Sequence, residues 1–261
     1  WMSRSLTKLQ LKRSCLVISH SCETASFARV LLSEYGCPPD KVRYFCHPVV
    51  EPAAVGGSVG SAADACRGSS GGEDSARTGE ILIWGNILPY KGVLEFVTSP
   101  AVRRAGLKVR IVGRCKDASL AADIEKAIVS DDSAGFAGFG AEASTAHRST
   151  FVFENRAADF EELAGLIRSS RFVLFPYLPG SVSSSGVLMD TLTMGGSPVG
   201  PAIGAFADLA REDVCFVYGS EAEMVEILKS GRSINPEVLR DFIARNSWHS
   251  FARFFADFFA S

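Results

Sequence analysis

No run of Lys or Arg occurs in this chain of 261 residues, and 27 basic against 29 acidic side chains leave a formal charge of −2. Binding a polyanion requires a field of positive charge, so nucleic acid is not an expected partner. Cysteine is scattered: the seven, at 15, 22, 37, 46, 66, 115 and 215, are odd in number and form no C-x-x-C pair. Neither a disulfide framework nor a zinc site is expected. A signal-peptide pattern and an apolar run of about 18 residues are both missing, which points to the reducing cytoplasm. A Walker loop is absent too. Gly135, Gly138 and Gly140 fall in a loop rather than between a strand and a helix, so a nicotinamide fingerprint is unsupported. Any phosphate must be held in another way, and no clustered carboxylates offer to hold a metal.

What is present is an ordinary globular composition, 47% hydrophobic and 21% charged. Trp1 precedes Met2, and the chain soon enters the apolar run Cys15-Leu16-Val17-Ile18-Ser19. Such an opening reads as that of a fragment. A strand at about 14–19, a helix at about 22–35 and a strand at about 42–46 follow, too few layers to stand alone. Residues 50–79 are dominated by Gly, Ser and Ala, with Val50, Val55 and Val59 the only large aliphatics. Burial there cannot offset the ordering entropy, so a linker is expected.

Beyond it, short apolar runs alternate with helical periods. Ile81-Leu82-Ile83-Trp84, Val109 to Val112, Thr150 to Phe153, Phe172 to Phe175, Ser197-Pro198-Val199 and Cys215-Phe216-Val217 read as strands. Helices are expected between them at about 91–97, 118–129, 159–169, 186–195, 204–210 and 221–230. This alternation predicts an α/β domain over 80–232 with a doubly wound, Rossmann-like parallel sheet. Ligands of such sheets bind where the loops leave the carboxyl ends of the strands.

Two of those loops carry chemistry. In Gly85-Asn86-Ile87-Leu88-Pro89-Tyr90-Lys91-Gly92, a glycine leaving the strand admits a ligand to the backbone and Lys91 offers a charge to phosphate. A plain strand-to-helix turn with a solvated lysine meets the same local pattern. After the strand at 172–175, Ser183, Ser184, Ser185, Gly186 and Val187 open a helix, where backbone N–H groups and hydroxyls suit a diphosphate. Asp190, one turn on, is placed to accept from ribose hydroxyls. Its other reading is a first-turn acid favoured by the helix dipole.

In order and spacing these loops resemble the retaining GT-B-fold glycosyltransferases of the family-4 type, which transfer sugar from a nucleotide-sugar donor. Gly85 to Gly92 matches that family's Gly-Arg-Leu-x-x-x-Lys-Gly loop, with Lys91 at the Lys and Asn86 where Arg is usual. Phe151 to Arg156, then Phe160-Glu161-Glu162-Leu163, resemble the segment whose backbone meets the base. Of the family's E-x7-E acids the second falls on Asp190 and the first on Val182. Gly196, Pro198 and Val199 match its Gly-x-Pro-Val run.

The resemblance implies the C-terminal half of a GT-B fold, with residues 1–49 a remnant of the acceptor-side N-terminal domain and 233–261 crossing back to that side. It implies metal-free transfer with no resident cofactor, Lys91 as the catalytic cation, and donor contacts from Gly85, Asn86, Ser184, Ser185, Gly186, Val187 and Asp190. The partners it implies are a nucleotide-sugar donor, a carbohydrate or lipid-linked acceptor, and the rest of the N-terminal domain in cis or trans. Asn86 and Val182 favour an alternative, a non-catalytic nucleotide-binding or assembly module. The four histidines receive no catalytic role. Trp248, Phe251, Phe254, Phe255, Phe258 and Phe259 recur at helical spacing; packing is the first reading of that helix, and peripheral contact with the inner face of the membrane the second.

Overall fold

The computed structural model describes residues 9–10, 13–50, 79–133, 148–179 and 185–260. The expected linker therefore lies, over 51–78, outside the described residues, as do Val182 and Ser184. The chain opens with β1 (Val17–Ser19), α1 (Cys22–Glu34) and β2 (Val42–Tyr44), followed by β3 (Ile81–Trp84), α2 (Val93–Thr98), α3 (Pro100–Arg103) and β4 (Lys108–Val112). Then come α4 (Ala118–Ser133), β5 (Thr150–Glu154), α5 (Phe160–Ser169), β6 (Phe172–Leu174), α6 (Gly186–Thr193) and β7 (Pro198–Pro201). The order closes with α7 (Gly204–Arg211), β8 (Phe216–Tyr218), α8 (Glu221–Lys229), α9 (Pro236–Arg245) and α10 (Trp248–Ala260).

Six strands form one sheet in the order β5-β4-β3-β6-β7-β8, and every pairing is parallel. Continuous apolar runs make this sheet because both faces are covered. Along β3 and β6, Ile81, Ile83, Phe172 and Leu174 join one core with α2, α4 and α8, through Phe96, Ile124 and Leu228. Leu82, Val173 and Phe175 alternate to the other, where α5, α6, α7 and α9 bring Ile167, Leu188, Phe206 and Phe242. The strand order runs outward in both directions from β3 and β6, so the topological switch point falls between them. In sheets of this kind ligands bind there, outside the carboxyl ends of the strands, here β3 and β6.

β1 and β2 form a separate parallel pair. Val42 faces α1 in a small core with Ala25 and Leu32. On the opposite face, the Arg43 guanidinium lies 5.9 Å from the Phe258 ring of α10, and Phe45 packs on Phe251 and Phe254 at 4.9 and 5.4 Å between centroids. Backbone bonds complete the seam: Val49 N–H donates to Asn246 at 2.9 Å and Trp248 N–H to Val49 at 3.3 Å.

Two helix starts also cap each other. The Cys22 N–H of α1 donates to Asp208 Oδ2 of α7 at 2.8 Å, and the Gly204 N–H of α7 donates to Glu23 Oε2 of α1 at 3.1 Å. Arg211 takes the other Asp208 oxygen at 2.6 Å. Asp208 is buried, so Asp208→Ala would leave an amide and a guanidinium without their acceptor. The expected loss is about 1–2 kcal/mol, the scale of a helix cap, with Asp208→Asn recovering part of it. Urea unfolding measures this, and an unchanged midpoint for the alanine variant would show the reciprocal caps to be energetically idle.

Candidate functional site

The loop after β3 is fixed from both sides. Gly85 leaves the strand at φ +92°, its N–H donating to Val112 at 3.2 Å, while Ile87 N–H donates to Arg114 at 2.9 Å. The crossing is close because position 113 is glycine: a Cβ there would fall 1.9 Å from the Gly85 carbonyl oxygen. Pro89–Lys91 then makes one 3-10 turn, and Gly92 takes the left-handed φ of +64° that starts α2. A Cβ on Gly92 would meet the Pro176 carbonyl oxygen at 2.1 Å, and Leu178 N–H donates to the Tyr90 carbonyl at 3.0 Å. The loops after β3 and β6 are therefore tied together across the switch point.

Lys91 is buried, at 4% exposure. The reading of it as a solvated helix-start residue is overturned, because the neighbouring loop covers it. Its ammonium lies 3.2 Å from where a Gly85 Cβ would stand, and the Val187 methyls reach the same point at 3.4 Å. The Tyr177 ring centre is 5.7 Å from Nζ. No carboxylate among the described residues lies within ion-pair reach of it. Burial pushes the ammonium down to about 8. A buried cation without a counter-ion is costly and receptive to an anion.

The mouth of α6 faces it. Ser185 is the N-cap by position, yet its hydroxyl caps no amide and lies 3.5 Å from the Tyr177 hydroxyl. The first amides bonded back to the cap are those of Leu188 and Met189, so the Gly186 and Val187 N–H groups precede the helical ladder. Gly85, Lys91 and Val187 thus meet in space, with Ser185 and Gly186 at the same helix end. Asp190 is exposed one turn further along, its carboxyl pushed up by desolvation and pulled down by nearby His47. Asn86 occupies an exposed position in the first loop.

At the end of β5, Glu154 accepts from Arg110 Nε and Arg156 Nη2, both at 2.6 Å, and Arg156 also donates to Glu162 at 2.8 Å. The Arg110 bond, with Arg156 behind it, holds the Glu154 carboxyl below the usual carboxylate range. Asn155 Oδ1 accepts from Cys115 N–H at 2.8 Å, joining this loop to the one after β4. Among the described residues no three potential metal ligands cluster, and no helix is long and apolar enough to cross a membrane.

Sequence reasoning missed Tyr177, whose aromatic partners are spread along the chain, and the Glu23 and Asp208 caps, which reach 181 and 186 residues. It also missed that the β2 side delivers His47 next to Asp190. His47 did carry a signal, its place at a strand end.

No protein-family description and no curated protein matches the sequence. Solved structures do. A glycosyltransferase from Rickettsia africae gives a TM-score of 0.64 at 14% identity, over 98% of this chain and 66% of its own. An α,α-trehalose-phosphate synthase (UDP-forming) from Burkholderia vietnamiensis gives 0.59 at 11% identity, over 93% of this chain and 59% of its own. HepE from Anabaena, solved with UDP and glucose, gives 0.56 at 12% identity, over 98% and 66%. At these identities the likeness is one of fold: the six-stranded sheet is the Rossmann-like domain of a GT-B architecture. The chain spans less than two thirds of the length of each of these three structures.

Proposed function

We propose that this chain is the donor-binding part of a glycosyltransferase of the retaining, family-4 type. The supporting observation is the buried Lys91 ammonium, without a counter-ion among the described residues, aimed at the start of α6 across the switch point of the sheet. In this reading Gly85, Lys91, Ser184, Ser185, Gly186 and Val187 hold a diphosphate, Asn86 lines the same loop and Asp190 accepts from the ribose. Lys91 is the catalytic residue. Its charge and the α6 amides stabilise the negative charge that grows on the departing diphosphate, so no divalent ion is required. Residues 80–232 bind donor, while 1–49 and 233–261 belong to the side that takes a carbohydrate or lipid-linked acceptor. Exposed Asn86, where the resemblance calls for Arg, and Val182, where it calls for an acid, are the features that favour a non-catalytic nucleotide-binding or assembly module instead.

Calorimetric titration with UDP, ADP and GDP, with and without chelator, tests donor binding. At least one nucleoside diphosphate is expected to bind with unchanged affinity in chelator, and loss of binding on chelation would assign the load to a metal. A transfer assay over nucleotide sugars and acceptors separates enzyme from module. Transfer needs donor and acceptor oriented at reacting distance, an effect worth on the order of 10⁵ or more in rate. The three matched structures are longer than this chain, which covers 59–66% of their length. The chain alone is expected to bind donor without transferring sugar, with activity returning when an acceptor-side domain is supplied. Turnover by the 261 residues alone would overturn this part.

A further inference from the structure

One side chain touches both halves of the anion site. The Tyr177 ring is clamped edge-on by Phe175, Phe206 and Tyr90, at centroid distances of 5.6, 5.7 and 5.8 Å. Phe206 reaches it because position 200 is glycine; a Cβ there would lie 2.2 Å from Phe206 Cδ1. Phe175 and Phe206 are almost wholly buried and Tyr177 is 6% exposed, so the plane of its ring is fixed by packing. The ring lies under Lys91 Nζ at 5.7 Å, and its hydroxyl contacts the Ser185 N-cap.

Among the described residues, the Gly85 backbone, the Val187 methyls and this ring lie about the ammonium. Among the described residues no charged side chain offsets or adds to its charge, and burial alone accounts for its weakened basicity. In a desolvated site the negative face of an aromatic ring is the remaining source of stabilisation for a cation.

We propose that Tyr177 is a positioning residue that keeps the Lys91 ammonium charged and aimed at the anion site, its packed ring serving as the partner that no carboxylate supplies. Its hydroxyl stays protonated, pushed up to about 12 by burial, so the contribution is that of a ring and a neutral dipole. The role in ligand binding rests on the donor-binding reading above; the hold on the ammonium stands without it.

The test is competitive acetylation of Lys91 in the ligand-free protein from about pH 6 to 10, read by mass spectrometry. Tyr177→Phe keeps the ring and is expected to leave the labelling midpoint near that of the wild type. Tyr177→Leu removes the ring and should lower the midpoint by about one pH unit. Replacement of Tyr177 by pentafluorophenylalanine preserves shape while reversing the ring quadrupole, and should lower the midpoint as well. That variant decides the matter if the leucine protein fails to fold. An unchanged midpoint in the pentafluorophenylalanine protein, or an equal fall in Tyr177→Phe, would overturn the proposal.

UDP titration forms a separate arm. Affinity should fall about tenfold in the fluorinated variant and be retained in Tyr177→Phe. If wild type binds no UDP, GDP or ADP while the midpoints shift as described, the donor-binding reading fails and the hold on Lys91 stands.

Discussion

Lys91→Ala is expected to weaken nucleoside diphosphate binding by about 1–3 kcal/mol, the scale of a charge-assisted hydrogen bond. Its pH dependence is the sharper signature. The free protein loses the Lys91 proton at about 8, against the ordinary 10.5. A bound diphosphate favours the ammonium, so wild-type affinity should hold steady just below pH 8 and fall about tenfold per pH unit above it. The alanine variant should lack that fall. Ligand-free stability moves the other way. Between about 8 and 10.5 the unfolded chain keeps a proton that the folded chain has lost, so stability rises with pH across that window. Below it the buried ammonium is a standing cost. Lys91→Met should therefore stabilise the ligand-free protein at neutral pH, by on the order of 1 kcal/mol, while weakening binding. Paired melts and titrations check both signs, and a methionine variant that is less stable and binds normally would contradict the assigned role.

Gly113→Ala should be a severely damaging single-methyl change at the site. The added carbon would lie 1.9 Å from the Gly85 oxygen and 2.9 Å from the Gly85 carbonyl carbon, both backbone atoms with nowhere to swing. Relief requires parting the ends of β3 and β4, which sacrifices the Gly85-to-Val112 and Ile87-to-Arg114 bonds. A loss of about 3 kcal/mol or more is expected, together with displacement of the loop that carries Lys91. Gly165 within α5 is the control. A Cβ there meets nothing within 4 Å, so Gly165→Ala should gain about 0.5–1 kcal/mol. Denaturant melts of the two variants should move in opposite directions, and similar midpoints would mean that the crossing at Gly113 is looser than it looks.

The sheet was legible because its physics is local. Ile81 to Trp84 and Phe172 to Leu174 are apolar at consecutive positions, the pattern of a strand covered on both faces. The helix expected from about residue 91 starts instead at Val93, since Pro89–Lys91 makes a 3-10 turn and Gly92 takes a left-handed φ. Pro100–Arg103 was overlooked even though Ser99 caps it and Pro100 opens it, both local helix-start signals. The meeting of Gly85, Lys91 and Val187 was to be expected from the place of both loops at the carboxyl ends of their strands. That Lys91 would be buried was not, because Tyr177 covers it from the far side of the switch point. The Glu23 and Asp208 caps were beyond reach for the same reason, as no local pattern pairs residues 181 and 186 apart.

The seam between β1–α1–β2 and the rest has a consequence for the order of folding. These elements precede the six-stranded sheet, yet what holds them to the rest lies far downstream: Asp208 for Cys22, Gly204 for Glu23, Asn246 for Val49, Phe251 for Phe45. Closing loops of this span costs conformational entropy before any contact compensates for it, which slows such pairings relative to local ones. The six-stranded sheet is able to form from the intervening chain by successive strand–helix–strand steps. During synthesis β1–α1–β2 emerge before α7 and α10, so they dock late and wait with Phe45 and the α1 start uncovered until those helices have been made.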